Sequence, residues 1–386
     1  MRKIGFITTS RADFWIQLGL IKEFEKVDHI EIIIFALGMH TSKEYGYTIQ
    51  DIKKNVQNGR ICFSEDILVY GETMEGVSLS MGEATKQMAN LLTLNPVDTV
   101  VCLGDRFEMY GAVSSVVPFN IPIVHLHGGE VTAGAIDEKF RHAITKLADY
   151  HFATCEEYKE RIIQMGADSK KVFNVGSLGV ESIGKLRLLS PNEIKSHFKI
   201  DVTKKYLLAT YHPVTTEVEK SEFLIDSFIN YLKEIDYEVV LTLGNADTMG
   251  KMFRDKLHQA KDEIGERIYI FDTLGATGYF SVAKYCQFVI GNSSSGIIEM
   301  ASLGKPVVNI GNRQKNRACS DNVIHCESDS ESILAAHSEA EKMVGRSFFN
   351  IYEKINTAKN IIDILIKSDL KTVYEFNDLN RREHFS

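Results

Sequence analysis

The chain has 386 residues, 44% of them hydrophobic and 25% charged, more than one hydrophobic core usually organises and too apolar for disorder, so two folded domains are expected. Lys plus Arg number 44 against 52 Asp plus Glu, a formal net charge of -8 that excludes a general attraction to nucleic acid or anionic lipid; an anionic ligand must be met locally. The six cysteines form no C-x-x-C pair, "MRKIGFITTS" is too briefly apolar for a signal peptide, and no run nears the roughly 18 apolar residues of a membrane span, so a reducing cytoplasm is expected.

Short β-branched runs alternate with amphipathic stretches of helical length. "KIGFITT" reads as a strand and is followed by a helix over 14–27; "IEIIIFAL" is a second strand. "DTVVCLG" precedes a helix over 107–117, "IPIVHLH" one over 137–148, and "YHFAT" one over 156–165. After "KVFNVGSLGVESIG" and the break at Pro191 the rhythm restarts with "KYLLATYHP", a helix near 217–234, "YEVVLTLGN", "RIYIFD", "QFVIGNSSSG" and "KPVVNIG". The fold class is therefore α/β, with two doubly wound, Rossmann-like domains meeting near residue 185.

Ligands of such sheets bind beyond the carboxyl ends of the strands, where strand turns to helix. Those turns are "TTSRAD", "GDRFE", "HLHGGE", "TYHP", "GNAD", "GNSSSG" and "GNRQKNR". Both domains supply them, which implies a cleft between the two. In "GNSSSGIIEMASLGKP", Ser293, Ser294 and Ser295 offer hydroxyls and backbone N–H groups before a helix reading from Ile297 onward, which suits a phosphate; a plain serine N-cap fits equally. Glu299, early in that helix, would repel a diphosphate but accept hydrogen bonds from ribose hydroxyls. Arg313, Arg317 and Arg11 are surface arginines when taken singly; together at strand mouths they favour a diphosphate. Asn245 and Asp247 suit a binding turn or a simple Asx turn.

No G-x-x-x-x-G-K-[ST] and no G-x-G-x-x-G follows the first strand, which weakens a P-loop or a dinucleotide site and leaves a nucleotide sugar. "HLHGGEVTAGAIDEKFRH" (125–142) then reads as a strand-to-helix turn. Gly128 and Gly129 let the backbone approach a ligand, while Glu130, Asp137 and, from the preceding turn, Asp105 can converge as acid/base groups. The rival reading is a metal held by His125, His127 and Asp137, the two histidines sharing one strand face. No further His/Cys cluster completes a ligand pattern, and His142 is read as structural.

In order and spacing, "TSRADF", "LGDRFE", "HLHGGEVTAGAIDEKFRHAITKLADYHF", "TYHPVT", "GNAD" and "GNSSSGIIEMASLGKPVVNIGNRQ" resemble the UDP-N-acetylglucosamine 2-epimerase family, in its hydrolysing branch. The resemblance runs from residue 4 to about 320. It implies a glycosyltransferase-B-like fold, no cofactor or catalytic metal, and a homodimer. Domain one would be 1–185 with the catalytic carboxylates, domain two 186–366 with the UDP site, and a closing helix at about 367–386 would pack back on the first. The reaction implied is elimination of UDP to a 2-acetamidoglucal, then hydration to a free 2-acetamido-mannose sugar. By resemblance Asp105, Glu130, Asp137 and His212 match catalytic positions; Arg11, Arg141, Ser293, Ser294, Glu299 and Arg317 match substrate or UDP positions. The non-hydrolysing branch carries "GTRPE" and a nearby lysine, where this chain has "TSRADFW" with Trp15, which favours the hydrolysing branch. Its members act on UDP-N-acetylglucosamine or UDP-N,N'-diacetylbacillosamine. A glycosyltransferase of the same fold would need an acceptor groove, and a non-catalytic nucleotide-sugar sensor would have lost carboxylates that are all present here.

Overall fold

Alternation inside the apolar runs decides the architecture. In the computed structural model, which describes residues 1–71, 73–132, 136–213, 218–243 and 250–378, the strand Ile30–Ala36 sends Ile32, Ile34 and Ala36 to one core and Ile33 and Phe35 to another. A strand apolar on both faces must be covered on both, which is the condition of a parallel sheet between helix layers.

The chain divides into two units. The first holds residues 1–130, 136–182 and 354–378; the second holds Val131, Thr132 and 183–353. In the first unit the strands are β1 (Arg2–Thr8), β2 (Ile30–Ala36), β3 (Gly59–Phe63), β4 (Thr99–Leu103), β5 (Ile123–Leu126), β6 (Tyr150–Ala153) and β7 (Val172–Asn174). They form one parallel sheet in the order β3-β2-β1-β4-β5-β6-β7, so the winding reverses between β1 and β4. In the second unit β8 (Tyr206–Thr210), β9 (Glu238–Thr242), β10 (Ile268–Phe271), β11 (Val289–Gly291), β12 (Val307–Ile310) and β13 (Val323–Cys326) run β10-β9-β8-β11-β12-β13, reversing between β8 and β11. In doubly wound folds such reversals are where neighbouring turns diverge at the carboxyl ends of the strands.

The observed helices Arg11–Phe24, Phe107–Val116, Asp137–Leu147, Glu156–Gln164 and Ser221–Glu234 stand close to the expected ones. Elements not read from the sequence include β3, β13, the 21-residue helix Met74–Leu94 and the helices Gly275–Tyr285 and Ser330–Met343. The returning segment also begins earlier than about 367. Its helix is Thr357–Lys367, and 368–378 carries neither helix nor strand. The reason is the apolar stripe Ala358, Ile361, Ile362 and Leu365, spaced to lie on one helix face and buried in the core that also holds Phe14 and Leu18. Beyond it the chain is tied by Val373 N–H on Asp149 Oδ1, by Asn377 N–H on the Gly166 carbonyl at 3.1 Å, by Thr372 Oγ1 on Asn120 Oδ1 at 2.8 Å and by Phe376 under Lys146.

Candidate active site

The turn after β5 is tighter than strand continuation allows. β5 ends at Leu126, and His127 takes φ = 62°, left-handed backbone that costs a non-glycine residue about 1 kcal/mol or more. His125 and His127 therefore do not share a strand face, contrary to the metal reading. His125 is buried, with Nε2 2.9 Å from the Gly104 carbonyl and Nδ1 3.2 Å from Thr145 Oγ1, and burial lowers its pKa to about 3. Both of its nitrogens thus have protein partners, and among the described residues no group of three His, Cys, Asp or Glu side chains is placed to share a metal ion. The turn glycines serve packing against protein: a Cβ on Gly129, at φ = 72°, would sit 2.7 Å from the Tyr158 carbonyl.

Arg141 gathers the acidic groups. It lies one turn into the helix Asp137–Leu147 and is 5% exposed. Its Nη1 donates to the His127 carbonyl at 2.9 Å and stands 3.9 Å from Glu130 Oε2, while Nη2 pairs with Asp105 Oδ2. Burial opposes the charge, but Asp105, Glu130 and Glu138 outweigh it and its pKa is raised. Glu130, also buried, receives Thr154 Oγ1 at 3.0 Å and faces His127 Nδ1 at 3.2 Å. His127 Nε2 is buried and makes no hydrogen bond. Asp137, at the head of the helix, has its pKa raised by burial first and by the like charge of Asp105 second. One buried cation thus holds two carboxylates, and a third beside them is biased toward its protonated form. Such a set of carboxyl groups can carry acid/base chemistry.

A second network, missed by the sequence reading, lies at the end of β1. Asp13 closes a capping box with Ser10, taking Ser10 N–H at 2.9 Å and Thr9 Oγ1 at 3.0 Å, and pairs with Thr8 Oγ1. Burial raises Asp13 to about 6 against these bonds. Thr8 Oγ1 also lies 2.8 Å from Nε2 of His40, whose pKa burial lowers to about 4. The S-x-x-D spacing in "TTSRAD" was the available signal. The network fixes the head of the helix Arg11–Phe24, where Arg11 is the first, exposed residue and Trp15 is exposed one turn on.

In the second unit the reversal between β8 and β11 is closed by an asparagine. Gly291, at φ = 136°, packs so tightly that a Cβ would lie 1.9 Å from the Thr210 carbonyl. The next residue, Asn292, is buried, accepts His212 N–H at 2.7 Å and donates to the His212 carbonyl at 2.9 Å. The Asn292 carbonyl receives Arg313 Nη1 and Gln314 Nε2, both at 3.0 Å. Burial, aided by Arg313, lowers the pKa of His212 to about 4, so its imidazole is neutral at pH 7. Asn292 was inside the quoted motif yet not singled out. Ser293 is the N-cap of a helix of only five residues, Ser294–Ile298. Glu299 is therefore the C-cap of that helix, and the support expected from a helix N-terminus is absent. Arg317 donates through Nε and Nη2 to the Val131 carbonyl, at 3.1 and 2.9 Å. Asn245 and Asp247 lie outside the described residues.

Two doubly wound units with carboxylates and arginines at their strand ends have the glycosyltransferase-B-like fold. The model of one family, UDP-N-acetylglucosamine 2-epimerase, matches residues 22–366, and the chain belongs to that family. It is 34% identical over 327 residues to the GDP/UDP-N,N'-diacetylbacillosamine 2-epimerase (hydrolyzing) of Campylobacter jejuni subsp. jejuni, covering 84% of each chain. It is 32% identical over 365 residues to the UDP-N,N'-diacetylbacillosamine 2-epimerase (hydrolyzing) of Legionella pneumophila subsp. pneumophila, covering 95% of this chain and 96% of that one. The fold matches that of UDP-GlcNAc 2-epimerase from Neisseria meningitidis bound to UDP-GlcNAc, with a TM-score of 0.79 at 18% identity over 95% of this chain and 100% of that one. No described helix is long and apolar enough to cross a membrane.

Proposed function

We propose that the chain is a hydrolysing UDP-N-acetylglucosamine 2-epimerase, converting UDP-N-acetylglucosamine and water to N-acetylmannosamine and UDP. The observation that carries the reading is the buried Asp105–Arg141–Glu130 cluster with Asp137 beside it. The C2 proton has no adjacent carbonyl to acidify it, so a base at C2 must act together with assistance to the leaving diphosphate. Glu130, with Asp105 as partner on Arg141, is assigned the C2 proton. Asp137, inclined to hold a proton, is assigned its delivery during hydration, when water adds its oxygen to C1 and a proton returns to C2 of the 2-acetamidoglucal.

The UDP end of the substrate is assigned to Arg11, Ser293, Ser294, Glu299, Arg313 and Arg317, with Asn245 and Asp247 as further contacts. His212, neutral through burial and fixed by Asn292, is assigned a hydrogen bond to the departing diphosphate. A homodimer in a reducing cytoplasm belongs to the same reading; six cysteines of which none is in a disulfide support the compartment.

A second reading, UDP-N,N'-diacetylbacillosamine as the substrate, is favoured by the activities for which the Campylobacter and Legionella relatives are named. Both are tested by offering each UDP-sugar in deuterated water and identifying the released sugar by NMR. Elimination and hydration place deuterium at C2 of a manno-configured product. A gluco-configured product without C2 deuterium overturns the epimerase reading, and the faster substrate decides between the two sugars.

A further inference from the structure

β12 and β13 pair in parallel so that Asn309 stands directly beside His325. Asn309 Nδ2 lies 3.0 Å from His325 Nδ1. The contact holds the ring so that its other nitrogen, Nε2, is 3.6 Å from Cys319 Sγ, within hydrogen-bond reach of sulfur. An imidazole there can take the thiol proton or donate to the thiolate, and the thiolate is the nucleophilic form of cysteine.

The surroundings fix this geometry and leave it reachable. Asn309 is buried, whereas His325 on the edge strand is exposed and Cys319 is half-buried. The backbone is pinned on both sides of the cysteine: the Ala318 carbonyl accepts Tyr352 Oη–H at 2.5 Å and Ser320 Oγ accepts Ile351 N–H at 3.1 Å. The other five cysteines are biased toward the thiol. Burial raises Cys62 and Cys102, and pushes Cys155, Cys286 and Cys326 up to about 12.

We propose that Cys319, His325 and Asn309 form a nucleophilic thiol centre, outside the residues assigned to the sugar reaction, that exchanges with a low-molecular-weight disulfide. Cys319 gives its proton to solvent and its sulfur electron pair forms a bond to one disulfide sulfur. The original S–S bond breaks, its pair leaves on the outer sulfur as a thiolate, and that thiolate takes a proton from solvent. The product is a mixed disulfide on Cys319, with the small disulfide as the oxidant, and excess free thiol reverses it.

Titration of the folded chain with dithiodipyridine, followed by peptide mass spectrometry, tests the assignment. One thiol of the six should react first, at least about tenfold faster than the next, and map to Cys319. In His325→Ala the rate at Cys319 should fall about tenfold at neutral pH, and its pH profile should move toward alkaline values, which a packing role alone would not produce. Reaction of Cys319 no faster than Cys62 in the native chain overturns the proposal whatever the variant does. So does an unchanged rate and profile in His325→Ala.

Discussion

Arg141 is 5% exposed and serves two carboxylates and a carbonyl at once, so its loss is felt in stability as well as in chemistry. Arg141→Met removes the cation but leaves Asp105 and Glu130 facing each other in low dielectric; breaking such a buried pair costs about 3–5 kcal/mol, to be read as a lower urea midpoint. Glu130→Gln keeps the size of the side chain and removes the base. It should lower kcat by about 10²-fold or more with UDP affinity by calorimetry kept, and adding Asp105→Asn should cost much less than the product of the two single effects. Near-normal turnover in Glu130→Gln removes this carboxylate from the C2 step. At this scale the sequence marked Asp105, Glu130 and Asp137 because strand-end turns concentrate chemistry, and Arg141 through the family resemblance alone. It did not reveal Asn292 or the Asp13–Thr8–His40 network, whose bonds depend on strands distant in sequence, nor the left-handed backbone of His127, which no composition rule requires.

Among the elements, the buried strands were the most legible, since continuous apolar runs such as "IEIIIFAL" leave few alternatives. β3 escaped because it is a five-residue edge strand with no fully buried residue, and the helix Met74–Leu94 because Gly76, Ser80 and Gly82 dilute its apolar period. Glu299 was misplaced for a related reason: where a short helix stops is set by packing and capping more than by propensity. The helix Thr357–Lys367 shows the reverse case, an unambiguous apolar stripe. Ile361→Ala should cost about 2–5 kcal/mol by deleting atoms from the core of the first unit, while Lys359→Ala, on the exposed face, should stay within about 0.5 kcal/mol. Paired chemical denaturation curves check both; equal midpoints for the two variants would show that the stripe carries little of the stability.

For the molecule as a whole, buried histidines decide behaviour in acid. His40 and His212 are lowered to about 4, His125 and His151 to about 3, in each case chiefly by burial. A group with a depressed folded pKa contributes stability that is present above its unfolded value near 6.5 and is lost as pH falls toward the folded value. Each such histidine therefore removes at most about 1.4 kcal/mol per pH unit between about pH 6 and its folded pKa. Asp13, raised to about 6, acts with the opposite sign: its contribution is present below the ordinary carboxylate range and is lost as pH rises through about 6. Asp137 and Asp149, raised by burial as well, share that sign, while His325 and His337, lowered by burial, join the other four histidines; six against three leaves a net loss on acidification, so the thermal midpoint should drop from pH 6 to pH 4.5. A flat midpoint across that window would mean that the histidines are charged in the folded chain.

The return of residues 354–378 to the first unit has a temporal meaning. A ribosome makes the β1–β7 sheet early, yet the helix that caps one of its faces emerges only after the whole of the second unit has been translated. The nascent sheet must wait with Phe14, Leu18 and Ile21 incompletely covered, while the 183–353 stretch can complete its own core first. In chains stalled after residue 353, limited proteolysis should therefore cut within 1–182 and spare β8–β13. Release of the full-length chain should then protect both together.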